Sequence, residues 1–256
     1  MTDPHLSPLS PVPALRRVPV GGVPGRSARR HRRPLTAAFR GLTALAAGAG
    51  VALGAHAAPS ASRFFGYFAV EANCLLALVS LWGAWRAWSG RRPLPAWLTG
   101  AAMIYVTLGA LLFHGLLTEP ASGFTLGAPF APPTAPHRIS AQLLHTVTPT
   151  AAVCDWLLLT APARFRPAHA VLWPAFPLAH LGYALHRHAL LLPGAFTRFP
   201  HPFLPLHPHA YQALTRDAAL LVIPVWLLTI LTAALDHLRP TPPPAGTGFR
   251  LRSPVR

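Results

Sequence analysis

The chain has 256 residues, 52% of them hydrophobic and only 11% charged, with a formal net charge of +16 at pH 7. A soluble domain carries about 25% charged residues, so the composition excludes an ordinary soluble fold and points to a membrane protein. The positive charge raises nucleic-acid binding, but the arginines bunch beside apolar stretches, which argues against a nucleic-acid partner.

Residues 1–36 are rich in Pro, Arg and Ser and lack helical periodicity, so they are expected to form a disordered basic tail. Six apolar stretches follow, at Phe39 to Ala58, Phe64 to Trp85, Trp97 to Leu117, Ile139 to Thr160, Ala168 to Leu191 and Tyr211 to Leu235. About 20 apolar residues in a helix cross a bilayer core of about 30 Å. The expectation is an all-α bundle of six transmembrane helices over residues 37–238. The first stretch has a rival reading: Arg29 to Arg33, an apolar run and Ala55-His56-Ala57 resemble a cleavable secretory signal. The uncharged run from Gly41 to Ser62 is long enough to span, which favours a retained helix. Two longer connections, Thr118 to Arg138 and Pro193 to Ala210, fall on one side, and long irregular loops tend to carry function. Residues 239–256, with Pro240, Pro242, Pro243 and Pro244, are expected to form a second disordered basic tail.

All the basic residues other than histidine are arginine. Most lie in the N-terminal tail (Arg16 to Arg40), at Arg86, Arg91 and Arg92, at Arg164 and Arg166, and from Arg239 to Arg256. Basic residues flanking spans are retained in the cytoplasm. Both termini are therefore expected to be cytoplasmic, in a multi-pass plasma-membrane protein whose basic tails touch anionic lipid headgroups. Cys74 and Cys154 fall inside spans and read as small core residues, with no disulfide framework, metal-ligand spacing or cofactor motif.

An ionisable side chain inside a span costs a few kcal/mol on insertion scales, about 2.5–3.5 at a helix centre, so such residues are the first functional candidates. They are Glu71, His114, His145, Asp155, His180 and Asp217, with His186 and His188 near a span end. Most gather in the outer half of the expected bundle; Asp155 is near the inner end. His145, Thr148, Ala152 and Asp155 follow an i, i+3, i+7, i+10 pattern and share a face. Gly66, Ala69, Asn73, Ala77 and Ser80 share a small, weakly polar face suited to helix packing. Glu71 points away from that face, so it cannot meet the partner of Asn73 without distortion.

Several segments resemble one known family. They are Phe64 to Phe68 (F-F-G-Y-F) with Asn73, Gly100 to Tyr105 leading to Phe113-His114-Gly115-Leu116-Leu117, and Leu143 to Pro149 (L-L-H-T-V-T-P) with Asp155-Trp156. Trp173 with Phe176 to Leu178, and Phe199 to Leu204, complete the set, which covers about residues 37 to 238 in order. The chain resembles the bacterial six-pass Pr-six-Pr membrane proteins, distantly similar to the eukaryotic androgen-induced and androgen-dependent membrane hydrolases. The resemblance implies a membrane threonine-hydrolase ancestry acting on esters of hydroxy fatty acids, with a catalytic His matching His145. The matching threonine position reads Ala69 here, which has no hydroxyl, and the family's F-L-D loop reads Phe203-Leu204-Pro205.

The leading functional expectation is therefore binding of a lipid or small amphiphile in an outward-facing intramembrane pocket. Ala69, Asn73, His114, Glu71 and Asp217 would line it. The alternative is an intramembrane lipid-ester hydrolase with His145 as base and Thr148 as substitute nucleophile. A third reading places haem between histidines of different spans, His114 with His145.

Overall fold

The computed structural model describes residues 32–117, 134–190 and 210–240. The distal parts of both basic tails, most of the two long connections and the Asp217 side chain lie outside the described residues. Among the described residues every regular element is helical.

The first long helix, α1, spans Pro34–Ala57, with a proline in its first turn, where no intrahelical partner for an N–H is needed. A short turn of helix, α2 (Ala61–Phe64), leads to α3 (Phe68–Trp88). Helix α4 (Ala96–Leu112) continues through a π-helical turn at Phe113–Leu117. The next segment is a chain of pieces: α5 (Ala135–Gln142), a π-turn at Leu143–Val147, α6 (Thr148–Cys154) and a π-turn at Asp155–Leu159. Short α7 (His169–Leu172) and α8 (Ala175–Leu190) are separated at Trp173-Pro174, and α9 (Ala210–Leu238) closes the described chain.

Among the described residues three helical segments are long and apolar enough to cross a membrane: Pro34–Ala57, Phe68–Trp88 and Ala96–Gly115. The expected fifth stretch breaks, because Pro174 and Pro177 lack the amide hydrogens that a continuous helix would use there. Large apolar side chains cover the outside, among them Leu42, Leu45, Leu78, Leu81, Leu158 and Leu227, all more than half exposed. Aqueous monomers rarely show so much contiguous apolar surface.

Hydrogen bonds gather several helix ends at one end of the bundle. The Arg33 amide donates to the Ala87 carbonyl at 3.0 Å, joining the start of α1 to the end of α3. The Arg164 guanidinium donates to Leu94 O at 2.9 Å, and Arg239 reaches the carbonyls of Leu157 and Thr160. This is the arginine-rich end, where Trp82, Trp85, Trp88 and Trp97 stand about half exposed. Small residues let helices close in. A Cβ on Gly54 would lie within 2.6 Å of both Phe64 and Ser140 Oγ, and one on Gly100 would meet the Trp173 ring at 2.5 Å.

Two sequence expectations are corrected here. Arg40, grouped with the tail, sits inside α1 with its side chain only 9% exposed. It is tolerated there because Asp155 provides the countercharge. Cys74 and Cys154 are partly exposed and lie outside the buried core.

Candidate functional site

The polar candidates divide into four groups, and backbone chemistry explains two of them. In the π-turn at Leu143–Val147 the Thr148 amide donates to Leu143 O instead of to Leu144 O. The next residue, Pro149, has no N–H to give. The Leu144 and His145 carbonyls thus lose their usual i+4 donors inside the bundle, where an unsatisfied carbonyl is costly. Asn73 answers the first: its Nδ2 donates to Leu144 O at 3.1 Å and to Ala69 O at 2.8 Å. Thr148 Oγ1 donates to Asn73 Oδ1, and both side chains are fully buried. His114 answers the second, with Nε2 at 3.2 Å from the His145 carbonyl. A carbonyl can only accept, so this contact fixes the proton on Nε2.

The same rule recurs at Trp173. Its carbonyl would receive the amide of residue 177, which is Pro177; Tyr105 donates its hydroxyl to that carbonyl instead, at 2.8 Å. Tyr105 also stacks on Phe176, with ring centroids 4.9 Å apart.

The second group is a hydrogen-bonded row on the surface of the bundle. His114 Nε2 lies 3.1 Å from Thr146 Oγ1, which donates to Gln142 Oε1 at 3.1 Å. His114, Thr146 and Gln142 are all exposed. Beside them the His145 ring stacks flat on Phe113, centroids 4.1 Å apart and planes 6° from parallel. His145 Nδ1 is buried without a hydrogen-bond partner, and the ring lies against the Gly109 carbonyl. Ala69 packs on the same glycine: a Cβ there would be 3.4 Å from the Ala69 methyl. Both π-turns in this region, Phe113–Leu117 and Leu143–Val147, carry a candidate histidine; π-turns recur at functional sites.

The third group is Glu71 with His180, which sequence reasoning left unpaired. His180 Nδ1 donates to Glu71 Oε2 at 2.9 Å, with the histidine 1% and the carboxylate 29% exposed. Phe68 packs edge-on against the imidazole. Glu71 therefore faces α8 while Asn73 faces the π-turn, as the helical-face argument requires.

The fourth group lies at the arginine-rich end. Arg40 grips Asp155 with two hydrogen bonds, at 2.8 and 2.9 Å, beside a cavity of about 30 Å³ lined also by Thr43, Ser80 and Thr99. That volume holds a water or two, not an amphiphile. Asp236, absent from the sequence candidates, is fully buried. It accepts the Trp156 indole at 3.0 Å, the amides of Arg164 and Phe165 at 2.7 and 2.9 Å, and Arg239 at 3.0 Å. It thereby pins a loop in which Ala163 takes a left-handed backbone conformation, φ 57°. Cations outnumber acids at this end: burial and the neighbouring Arg40 lower the Arg164 pKa, Asp236 opposes them, and Arg33 adds to the lowering. The signal for Asp236 was an acid at the apolar boundary of the last stretch.

The structure thus joins Asn73 to Thr148, and His114 to the backbone of His145. Among the described residues no hydrogen bond joins His145 to Thr148, and Glu71 stands with a different partner. His114 Nε2 points at a carbonyl, so its placement lends nothing to shared haem ligation with His145. Among the described residues there is no group of three or more His, Cys, Asp or Glu side chains placed to hold a metal ion. No family model, curated protein or solved structure matches this chain.

Proposed function

We propose that the chain is a six-pass plasma-membrane protein, related to the Pr-six-Pr proteins, that binds a lipid or small amphiphile at the polar row of His114, Thr146 and Gln142. Both termini lie in the cytoplasm in this reading, with the arginine-rich end facing inward and the polar row in the outer half. The observation that carries it is an exposed donor–acceptor row beside a flat Phe113–His145 stack, on helices whose outside is otherwise apolar. A polar headgroup would meet the row and an acyl chain the flanking rings and leucines, the usual split of a few polar groups in an apolar site. The interior pair Asn73 and Thr148 serves the helix defect and does not line this site.

The test leaves the His145 carbonyl cap intact. Wild type and a Gln142→Leu, Thr146→Val variant are purified in mild detergent and their retained lipids measured by mass spectrometry. Wild type is expected to carry a defined lipid, and the variant about tenfold less, as two modest hydrogen bonds are worth about 1.4 kcal/mol. Equal retention by both proteins overturns the reading.

A second reading has one observation behind it. Ala69 and His145 flank the same Gly109, so the position where the resembled hydrolases carry threonine adjoins the candidate base. Ala69 supplies no hydroxyl, which leaves this chain a base without that nucleophile.

A further inference from the structure

An array of arginines and tryptophans is built where the start of α1 meets the end of α3. Helix α3 ends in a Schellman motif: Arg91 N–H donates to Arg86 O at 2.8 Å and Gly90 N–H to Ala87 O at 3.3 Å. Gly90 takes φ 65°, which an L side chain resists. The motif turns the chain back along the helix and lays the Arg91 guanidinium over the Trp85 ring, 4.3 Å from its centroid. Arg86 lies over Trp82 at 5.9 Å and donates from Nε to Arg92 O at 2.7 Å. Arg33, tied through its amide to Ala87, donates from Nη2 to Arg91 O at 3.3 Å.

A guanidinium carries five N–H donors; Arg33 and Arg86 each spend one on a backbone carbonyl, and Arg91 lies over the Trp85 ring, so donors are left over. The whole chain holds only 6 acidic residues. The two at this end are engaged elsewhere, Asp155 on Arg40 and Asp236 on Arg239 and two loop amides. Among the described residues no carboxylate forms an ion pair with Arg33, Arg86 or Arg91. A complementary anion has to come from outside the described chain. Trp82 and Trp85, each 47% exposed, continue the outward apolar row of Leu78 and Leu81 on α3. The cations therefore sit at the border of the apolar surface, the depth at which tryptophan and arginine meet headgroups.

We infer that Arg33, Arg86 and Arg91 bind the phosphodiester of an anionic phospholipid. The guanidinium fork matches two phosphate oxygens. The exposed indoles lie against the glycerol and upper acyl region of the same lipid. A nucleic-acid partner would need these faces in water, away from the apolar row. This site is separate from the polar row at the opposite end and rests only on the membrane reading of the chain.

The test uses the full chain in phosphatidylcholine nanodiscs containing a minor fraction of phosphatidylglycerol. Recovery of protein in the discs reports insertion; lipid retained after a detergent wash, weighed by native mass spectrometry, reports headgroup choice. Phosphatidylglycerol is expected to be enriched over its bulk fraction. Arg86→Gln and Arg91→Gln each lower that enrichment about five-fold, and Arg138→Gln, an exposed arginine in the first turn of α5, leaves it unchanged. Retained lipid at the bulk ratio in wild type, or an equal loss in Arg138→Gln, overturns the inference. If the glutamine variants do not fold, wild type alone decides. Its preference must fall as salt is raised, and a salt-independent preference refutes a charge-paired headgroup.

Discussion

Tyr105→Phe deletes one oxygen and nothing else, which makes it the cleanest probe of how prolines shape this bundle. The hydroxyl donates to the Trp173 carbonyl at 2.8 Å, in a region where Trp173 is 1% exposed. Without it that carbonyl has neither water nor the amide of residue 177. Polar pairs between membrane helices average about 0.6 kcal/mol and reach about 1.7, while leaving a buried acceptor unsatisfied costs roughly 1–3 kcal/mol. We expect Tyr105→Phe to cost about 1.5 kcal/mol, near the overlap of the two ranges. Pro177→Ala restores an amide at position 177 that can reach the same carbonyl. In that background Tyr105→Phe should cost less than about 0.5 kcal/mol, the usual margin for independent sites. Equilibrium unfolding of the four proteins of the cycle in mixed micelles gives the coupling. Additive losses would refute the claim that Tyr105 substitutes for the amide proline lacks.

Asp236→Asn should cost about 3–5 kcal/mol, since it leaves donors from Trp156, Arg164, Phe165 and Arg239 around a group with half the acceptors; unfolding in micelles and faster amide exchange at Arg164 and Phe165 would register it. Gly100→Ala forces a methyl to within 2.5 Å of the Trp173 ring and should destabilise by about 1–3 kcal/mol; a melting temperature equal to wild type would contradict the packing. Thr148→Val and Asn73→Leu, which share one hydrogen bond, should couple by about 0.6 kcal/mol or more in a double-mutant cycle. Ala69→Thr places a hydroxyl beside Gly109 and His145; fluorophosphonate labelling that appears in this variant and vanishes on adding His145→Ala would favour the hydrolase ancestry, and no labelling would leave it without chemical support.

Apolar length showed where helix forms, because lipid-facing and core-facing side chains are both greasy and the pattern needs only a run; it did not show that the fifth stretch breaks at Trp173-Pro174. Partners were harder to read. The i, i+3, i+7, i+10 face grouped His145, Thr148 and Asp155, but they separate in space: Thr148 meets Asn73, His145 stacks on Phe113 and Asp155 holds Arg40. The grouping assumed a constant advance of about 100° per residue. The π-turn at Leu143–Val147 breaks that advance between His145 and Thr148, while Thr148 and Asp155 lie two turns apart on regular helix and so meet different neighbours. Glu71 was correctly turned away from Asn73, since α3 is regular there, yet its partner His180 lies 109 residues on and no local periodicity names it. Pro149 and Pro177 were the readable signals that went unused. Each announces a carbonyl four residues earlier in need of a donor, although only the fold shows that His114 and Tyr105 provide it.

That pattern changes what an intramembrane polar residue signifies in this chain. Polarity marked Glu71, His180 and Asp155 as candidates, and helical face and resemblance added Asn73 and Thr148, but each is matched inside the bundle to a carbonyl, a hydroxyl or an opposite charge. Low dielectric surroundings make such matching close to obligatory, so matched interior groups are evidence of assembly before they are evidence of chemistry. The informative remainder is polar and outward-facing: the His114 row at one end and the arginine–tryptophan array at the other. An assembled interior could keep its pairs with any neutral surface around it. Polar groups on an apolar exterior carry an insertion cost, and the headgroup contacts proposed above would offset part of it.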